Sequence, residues 1–217
     1  MERIQIFIDG GNFHHLALKK IGISELDFSF DEFVDFLANE RIISQGGKRF
    51  YVGTVREEAG NQRSKDAMAV QRRFFSLLEK KKWQIKTSKL KIRNEKIIID
   101  ERVENYEELI KKGIKSVMVR KSREKGIDVK IATDLIVAAM DNQYDTAIIV
   151  SSDTDLIPAI DIVKYRFNKK IEYIGFSISD RNKEDAKPSQ AMIAKSNIQR
   201  ILIRSDIERF KIVNKIK

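Results

Sequence analysis

The stretch YDTAIIVSSDTDLIPAI, residues 144–160, decides the fold class. Thr146 to Val150 is a short, uncharged run rich in β-branched residues, which reads as a strand buried on both faces. It stops at Ser151-Ser152-Asp153-Thr154-Asp155, after which Leu156, Ile160 and Val163 recur at helical spacing. A buried strand, a short polar loop and a helix make half of a βα unit. In open parallel sheets, sites lie outside the carboxyl ends of the strands, where Asp153 and Asp155 fall. Two acids at the end of a hydrophobic strand need a reason, and the rest of the chain supplies their partners.

Outward from this stretch, RIQIFI (residues 3–8) reads as a second buried strand, ending in Asp9-Gly10-Gly11-Asn12. The two glycines permit a sharp turn and a close backbone approach. The third glycine of a dinucleotide fingerprint is missing. Phe13, Leu16 and Leu18 then open a short helix, and a second helix covers 30–38. Residues 49–55 read as a strand, 62–82 as a long amphipathic helix with a basic face, and 83–86 as a further strand. Strands are also expected at 115–120 and 170–176, with a helix at 127–140 beginning near Asp128. Strands alternating with helices mean an α/β fold with a mostly parallel sheet. Residues 88–113 alternate basic with apolar and read as an inserted hairpin plus a short helix. The domain reading is therefore a unit over 1–176 carrying that insertion. An extension over 177–217 either packs on it or mediates association.

With 217 residues and 42% hydrophobic residues, the chain can bury a core of ordinary size. It has no cysteine, which excludes disulfides, thiolate metal sites and a cysteine nucleophile. No apolar run reaches about 18 residues and the amino terminus lacks a signal-peptide core, so no membrane span and a cytoplasmic setting are expected. The net charge of +10 and isoelectric point near 9.6 point to a polyanionic partner, since neutralising phosphates releases counterions. A composition bias toward lysine is the competing explanation.

The acids fall at element junctions. Asp9 and Asp153 end strands, Asp155 opens the next helix, and Asp128 sits at a helix amino terminus, where the macrodipole favours an anion. Asp134 is six residues further on, about 240° round the helix. Each alone reads equally as a cap or a turn residue. Several converging on one sheet edge repel one another, so such a cluster persists through protonation or a bound cation. Carboxylate oxygens suit Mg²⁺ or Mn²⁺.

Together IFIDGGNF (6–13), KGIDVKIATDLI (125–136) and residues 144–160 resemble the NYN family, the LabA-like branch of the PIN-like metal-dependent ribonucleases. The resemblance covers about residues 3–176. It implies a Rossmann-like three-layer α/β/α PIN-like fold, an acidic pocket for Mg²⁺ or Mn²⁺, and RNA cleavage. By motif position Asp9, Asp128, Asp153 and Asp155 match that pocket, Asp134 matches a less central acid, and Asn12 matches the asparagine after the first aspartate. Ser152 stands where the family usually has glycine and Leu156 where it often has phenylalanine. Neither change removes a carboxylate.

Residues and resemblance agree on a metal-dependent phosphodiester hydrolysis, with RNA the expected substrate and the choice between RNA and single-stranded DNA left open by the sequence. Asn12, Ser151, Ser152, Thr154, Arg56, Arg123, Lys125 and Lys130 are the candidate substrate-binding residues. Tyr51, Phe74 and Trp83 either stack bases or pack in the core. His14 and His15 are the only histidines, and packing or solvent accounts for them better than acid–base chemistry. The competing readings are a non-catalytic nucleic-acid-binding regulatory module and a phosphatase suggested by Asp153-Thr154-Asp155. The latter chemistry needs its D-x-D at the first strand, where this chain has Asp9-Gly10-Gly11. Ile201, Ile203, Ile207, Phe210 and Val213 form an apolar set that either packs on the chain's own core or supports a homodimer.

Overall fold

The structure, a computed structural model, describes residues 1–55, 60–89, 91–123, 126–179 and 185–212, with backbone only for 89, 91–93 and 120–123. Arg56, Lys125 and Val213, and the side chain of Arg123, lie outside the described residues.

β1 (Arg3–Asp9) leads into a helical stretch made of α1 (Gly10–Phe13), a π turn (His14–Leu18) and α2 (Lys19–Ile21). α3 (Phe30–Ala38), β2 (Ile42–Thr54), α4 (Gln62–Lys80) and β3 (Gln84–Lys89) follow. The chain then forms β4 (Lys91–Ile98), α5 (Tyr106–Lys111) and β5 (Ser116–Arg123). α6 (Ile127–Met140), β6 (Thr146–Val150), α7 (Ile157–Phe167), β7 (Lys170–Ser177), α8 (Gln190–Lys195), β8 (Ile198–Ile203) and α9 (Arg204–Glu208) complete it.

Six strands form one sheet in the order β3-β2-β1-β6-β7-β8, every neighbouring pair parallel. The chain winds outward from β1 to β3, then returns to the other side of β1 and winds outward again. The direction of winding reverses between β1 and β6. This Rossmann-like order leaves a crevice at the carboxyl ends of those two strands.

The pleat of the central strands divides the core in two, because successive side chains point to opposite faces. Ile4, Ile6, Ile8, Ile148 and Val150 pack with Phe13, Phe28, Phe30, Phe33 and Phe50 under the first three helices and α4. Phe7, Ala147 and Ile149 pack on the other face with Ile131 and Leu135 of α6 and Ile160 and Val163 of α7. The result is a three-layer α/β/α architecture around a fully buried β6. Tyr51, Phe74 and Trp83 are all buried, so they are core residues.

Two elements differ from the sequence reading. β2 begins at Ile42 rather than near residue 49, because Ile42 and Ile43 pair with Arg3 and Ile4 ahead of a register shift. Gly46, at φ 66°, turns the backbone within that bulge. In the insertion, the hairpin does not close within 88–113. β4 pairs antiparallel with β5, α5 lies between them in sequence, and this ribbon stays separate from the central sheet. A strand whose second half is Arg120-Lys121-Ser122-Arg123, as in β5, cannot replace a two-face apolar strand inside the sheet.

The carboxyl-terminal region joins the same body. β8 pairs with β7, and Ile207 and Phe210 are buried against the phenylalanine cluster. Ile201 and Ile203 remain exposed. Among the described residues no helix is long and apolar enough to cross a membrane.

Candidate metal centre

β1 and β6 run side by side in register, with Ile8 opposite Val150, so Asp9 and Ser151 leave the sheet at the same height. Asp9 is 7% exposed. One of its carboxylate oxygens accepts the Asn12 backbone N–H at 3.0 Å, and the other accepts the Ser151 hydroxyl at 3.1 Å. The Ser151 oxygen also accepts the Asp153 backbone N–H at 3.2 Å. Ser151 thus ties the end of β1 to the loop that carries the next two acids. The same loop is held from α1, where the Asn12 side-chain oxygen accepts the Ser152 N–H at 3.0 Å. On the far side, the Ser152 and Tyr173 hydroxyls lie 2.7 Å apart.

Gly10 allows this arrangement because it is buried against the core. A Cβ there would lie 2.5 Å from the Phe50 ring and 3.0 Å from the Tyr51 carbonyl oxygen. The Asp9-Gly10 pair therefore reflects packing as well as turning.

Asp153 opens the short helical turn that follows, its Oδ1 accepting the Asp155 N–H at 2.9 Å. Asp128 comes from the first turn of α6, whose entry is made by Gly126 at φ 82°. Asp128, Asp153 and Asp155 each bring a carboxylate oxygen within 4.8 Å of the others. Asp128 and Asp153 are half-buried and Asp155 is exposed, so the group opens outward. Asp153 is a cap that also stands in this group, which a cap reading does not predict, and Asp9, a second cap, lies outside the group but close enough to feel its charge.

The electrostatics follow from this crowding. Burial raises the Asp9 carboxyl above the usual carboxylate range, and the nearby charges of Asp128 and Asp153 add to that. The bonds from Asn12 and Ser151 oppose it. Asp128 is also raised, first by burial and then by Asp153 and Asp155. Among the described residues, no lysine or arginine forms an ion pair with any of these four acids. An oxygen-only donor set of crowded carboxylates suits a hard divalent cation such as Mg²⁺ or Mn²⁺.

Asp134 stands apart from this group. Its Oδ2 accepts the Tyr51 hydroxyl at 2.8 Å and faces Arg49 at 3.7 Å and Lys86 at 3.8 Å. These cations already supply the countercharge. Lys130 donates to the backbone oxygen of Thr87 within β3. Thr154 is exposed beside the acids, while Ser151 is buried with its hydroxyl engaged on both sides. His14 contacts Glu25 at 2.6 Å. Ser151, read from the sequence as a substrate-binding candidate, instead ties Asp9 to the acidic loop, and Tyr173, midway along β7, holds Ser152 with no signal in the sequence.

The NYN domain family profile matches residues 3–199. Among solved structures, the chain is similar to a protein of unknown function from Vibrio parahaemolyticus RIMD 2210633. The TM-score is 0.53 at 18% identity over 93% of each chain, a likeness of fold alone. Among curated proteins none matches the chain.

Proposed function

From the chain's membership of the NYN domain family, we propose that it is a metal-dependent ribonuclease acting at Asp128, Asp153 and Asp155. The observation that carries this reading is the meeting of three carboxylates at the strand crossover, with no described cation neutralising them. A divalent ion bound there, Mg²⁺ or Mn²⁺, would lower the pKa of a water and offset charge on the scissile phosphate. The chain's own residues have distinct tasks. Asp128, Asp153 and Asp155 are the ligand candidates. Asp9 is buried behind them and adds negative charge, while its bonds to Ser151 and Asn12 fix the spacing between β1 and the acidic loop. Asn12 holds Ser152, and Thr154 offers an exposed hydroxyl to the substrate. Hydrolysis would leave a 5′-phosphate and a 3′-hydroxyl. A cytoplasmic setting accords with a chain that uses no cysteine.

The test is cleavage of a labelled, mixed-sequence single-stranded RNA with Mn²⁺ or Mg²⁺ against EDTA, beside Asp153→Asn. Metal-dependent cleavage that the substitution abolishes is the expected result. Wild type and variant that bind RNA equally and leave it intact in metal would sink the nuclease reading in favour of a binding module.

A further inference from the structure

Where the strands begin, on the sheet edge opposite the acidic group, β1 and β2 do not pair regularly. Ile4 pairs with Ile43 and Ile6 with Lys48, so Gln5 stands opposite the whole segment Ser44-Gln45-Gly46-Gly47. An ordinary bulge inserts a single residue. This longer one is closely specified. Gly46 is at φ 66°, and a Cβ on Gly47 would lie 2.7 Å from the Ser44 carbonyl oxygen, so both positions need glycine. The Ser44 hydroxyl donates to the Gln143 backbone oxygen at 2.6 Å, and the Arg49 Nε–H donates to the Gly46 oxygen at 3.2 Å. The Gln84 amide lies over Gly46. Bulges are over-represented beside functional sites, where they re-aim side chains.

The bulge borders a pocket of about 530 Å³, within the range that small ligands fill. Its lining carries the exposed amides of Gln45, Gln84 and Gln143 and the guanidinium of Arg49, a residue only 8% exposed. Arg49 Nη2 donates to Gln143 Oε1 at 3.3 Å, and the same oxygen accepts Gln5 Nε2 at 3.3 Å. Gln5 is fully buried, and among the described residues its Oε1 has no hydrogen-bond partner. That oxygen is one amide removed from the pocket. A buried acceptor left unpaired is destabilising, and an N–H group brought by a ligand would satisfy it.

Charge decides the ligand class. Asp134 Oδ2 lies 3.7 Å from Arg49 Nη1, and among the described residues no second cation lines the pocket. One arginine already faced by a carboxylate suits a phosphate poorly. A primary amide presents a donor and an acceptor side by side, which matches the edge of a nucleobase. Arginine pairs with O6 and N7 of guanine, and the guanine N2–H₂ group is the kind of donor that Gln5 Oε1 lacks.

We propose that this pocket is a second binding site, which takes a purine base, guanine before adenine, from a free nucleotide or from a polynucleotide chain. Gln5 lies four residues before Asp9, about 13 Å of strand, so the site stands apart from the acidic group and does not depend on the nuclease reading.

The experiment titrates guanosine, a probe without phosphate, into the full chain in EDTA and follows binding by calorimetry, beside adenosine, cytidine and inorganic phosphate. Guanosine should bind more tightly than adenosine, and at least about 5-fold more tightly than cytidine, the lower end of what a bidentate base contact contributes. Gln84→Ala and Gln143→Ala should each lower guanosine affinity about 5-fold or more, and Asp153→Asn should leave it unchanged. Gln84 is exposed, so its substitution tests the site even if Gln143→Ala folds poorly. Gln5→Met removes the unpaired oxygen while Gln143 Oε1 keeps its bond from Arg49, so it should weaken guanosine binding yet raise the melting temperature of the ligand-free protein. Equal guanosine affinity in wild type and Gln84→Ala overturns the site, as does a wild type that binds no nucleoside. Displacement of guanosine by phosphate would make it an anion site, and loss of binding in Asp153→Asn would move the base to the acidic group. Competition identifies the source. A guanine-containing RNA oligonucleotide that displaces guanosine at lower concentration than guanosine monophosphate assigns the pocket to a chain, and the reverse order assigns it to a free nucleotide.

Discussion

Neutralising Asp128 should stabilise the metal-free protein and weaken its response to metal. Its two acidic neighbours lie no farther than 4.8 Å away, so each pair costs about 1 kcal/mol at the dielectric of water and about 3.5 kcal/mol at an effective value of 20. Asp155 is exposed, which favours the lower figure, so relief from two neighbours is about 2 kcal/mol. Against this, Asp128 sits in the first turn of α6, where an anion contributes about 0.5 kcal/mol through the helix dipole. Repulsion wins by about 1.5 kcal/mol, which for a chain of this length raises Tm by about 3–6 °C. Asp128→Asn keeps the shape and is the substitution to use. The assay is a thermal melt in EDTA and in Mn²⁺. With Mn²⁺ at a hundred times Kd, wild type gains about 2.7 kcal/mol, or about 5–11 °C, and the variant far less, so their order reverses. A variant that melts lower than wild type in EDTA, or that gains as much from Mn²⁺, would refute the argument.

Other consequences follow from single contacts. Gly10→Ala forces a Cβ toward the Phe50 ring and should cost about 1–3 kcal/mol in urea unfolding, while displacing Asp9 enough to slow cleavage. Glu172 is 1% exposed and pairs with Arg41 at 2.7 Å and Arg200 at 2.6 Å. Glu172→Ala leaves two partly buried cations without their carboxylate and should lower stability by about 3–5 kcal/mol, and an unchanged urea midpoint would count against that pairing. Asp145 is held down to about 2 by hydrogen bonds from the Arg3 side chain and backbone. A depressed carboxyl contributes stability above its unfolded value, and that contribution is lost as the pH falls toward 2. Asp145→Asn should therefore melt lower than wild type at pH 6, with the gap closing by pH 2.5. A gap independent of pH would exclude this linkage.

The central strands were legible because their burial is written in composition. RIQIFI and TAIIV admit few readings other than two-faced strands, and their acidic ends mark the side on which a site lies. Asp128 was legible through its place at a helix start. β2 was read too short because Ser44-Gln45-Gly46-Gly47, the unpaired bulge, interrupts the strand patterning between Ile43 and Lys48. The ribbon's true partner was missed because antiparallel pairing across an intervening helix leaves no local periodicity.

By itself, then, the sequence determined the fold class, the two central strands and which acids end them, since hydrophobic runs and strand-end residues are local properties. Only the tertiary structure decided which acids share one site. Parallel pairing of β1 with β6 and the entry of α6 gather Asp128, Asp153 and Asp155, with Asp9 behind them. Asp134, one and two-thirds turns along the same helix, instead faces Tyr51, Arg49 and Lys86. The physical reason is that coulombic repulsion and its compensation depend on distance through space, and residues far apart in the chain acquire that distance only when the sheet closes.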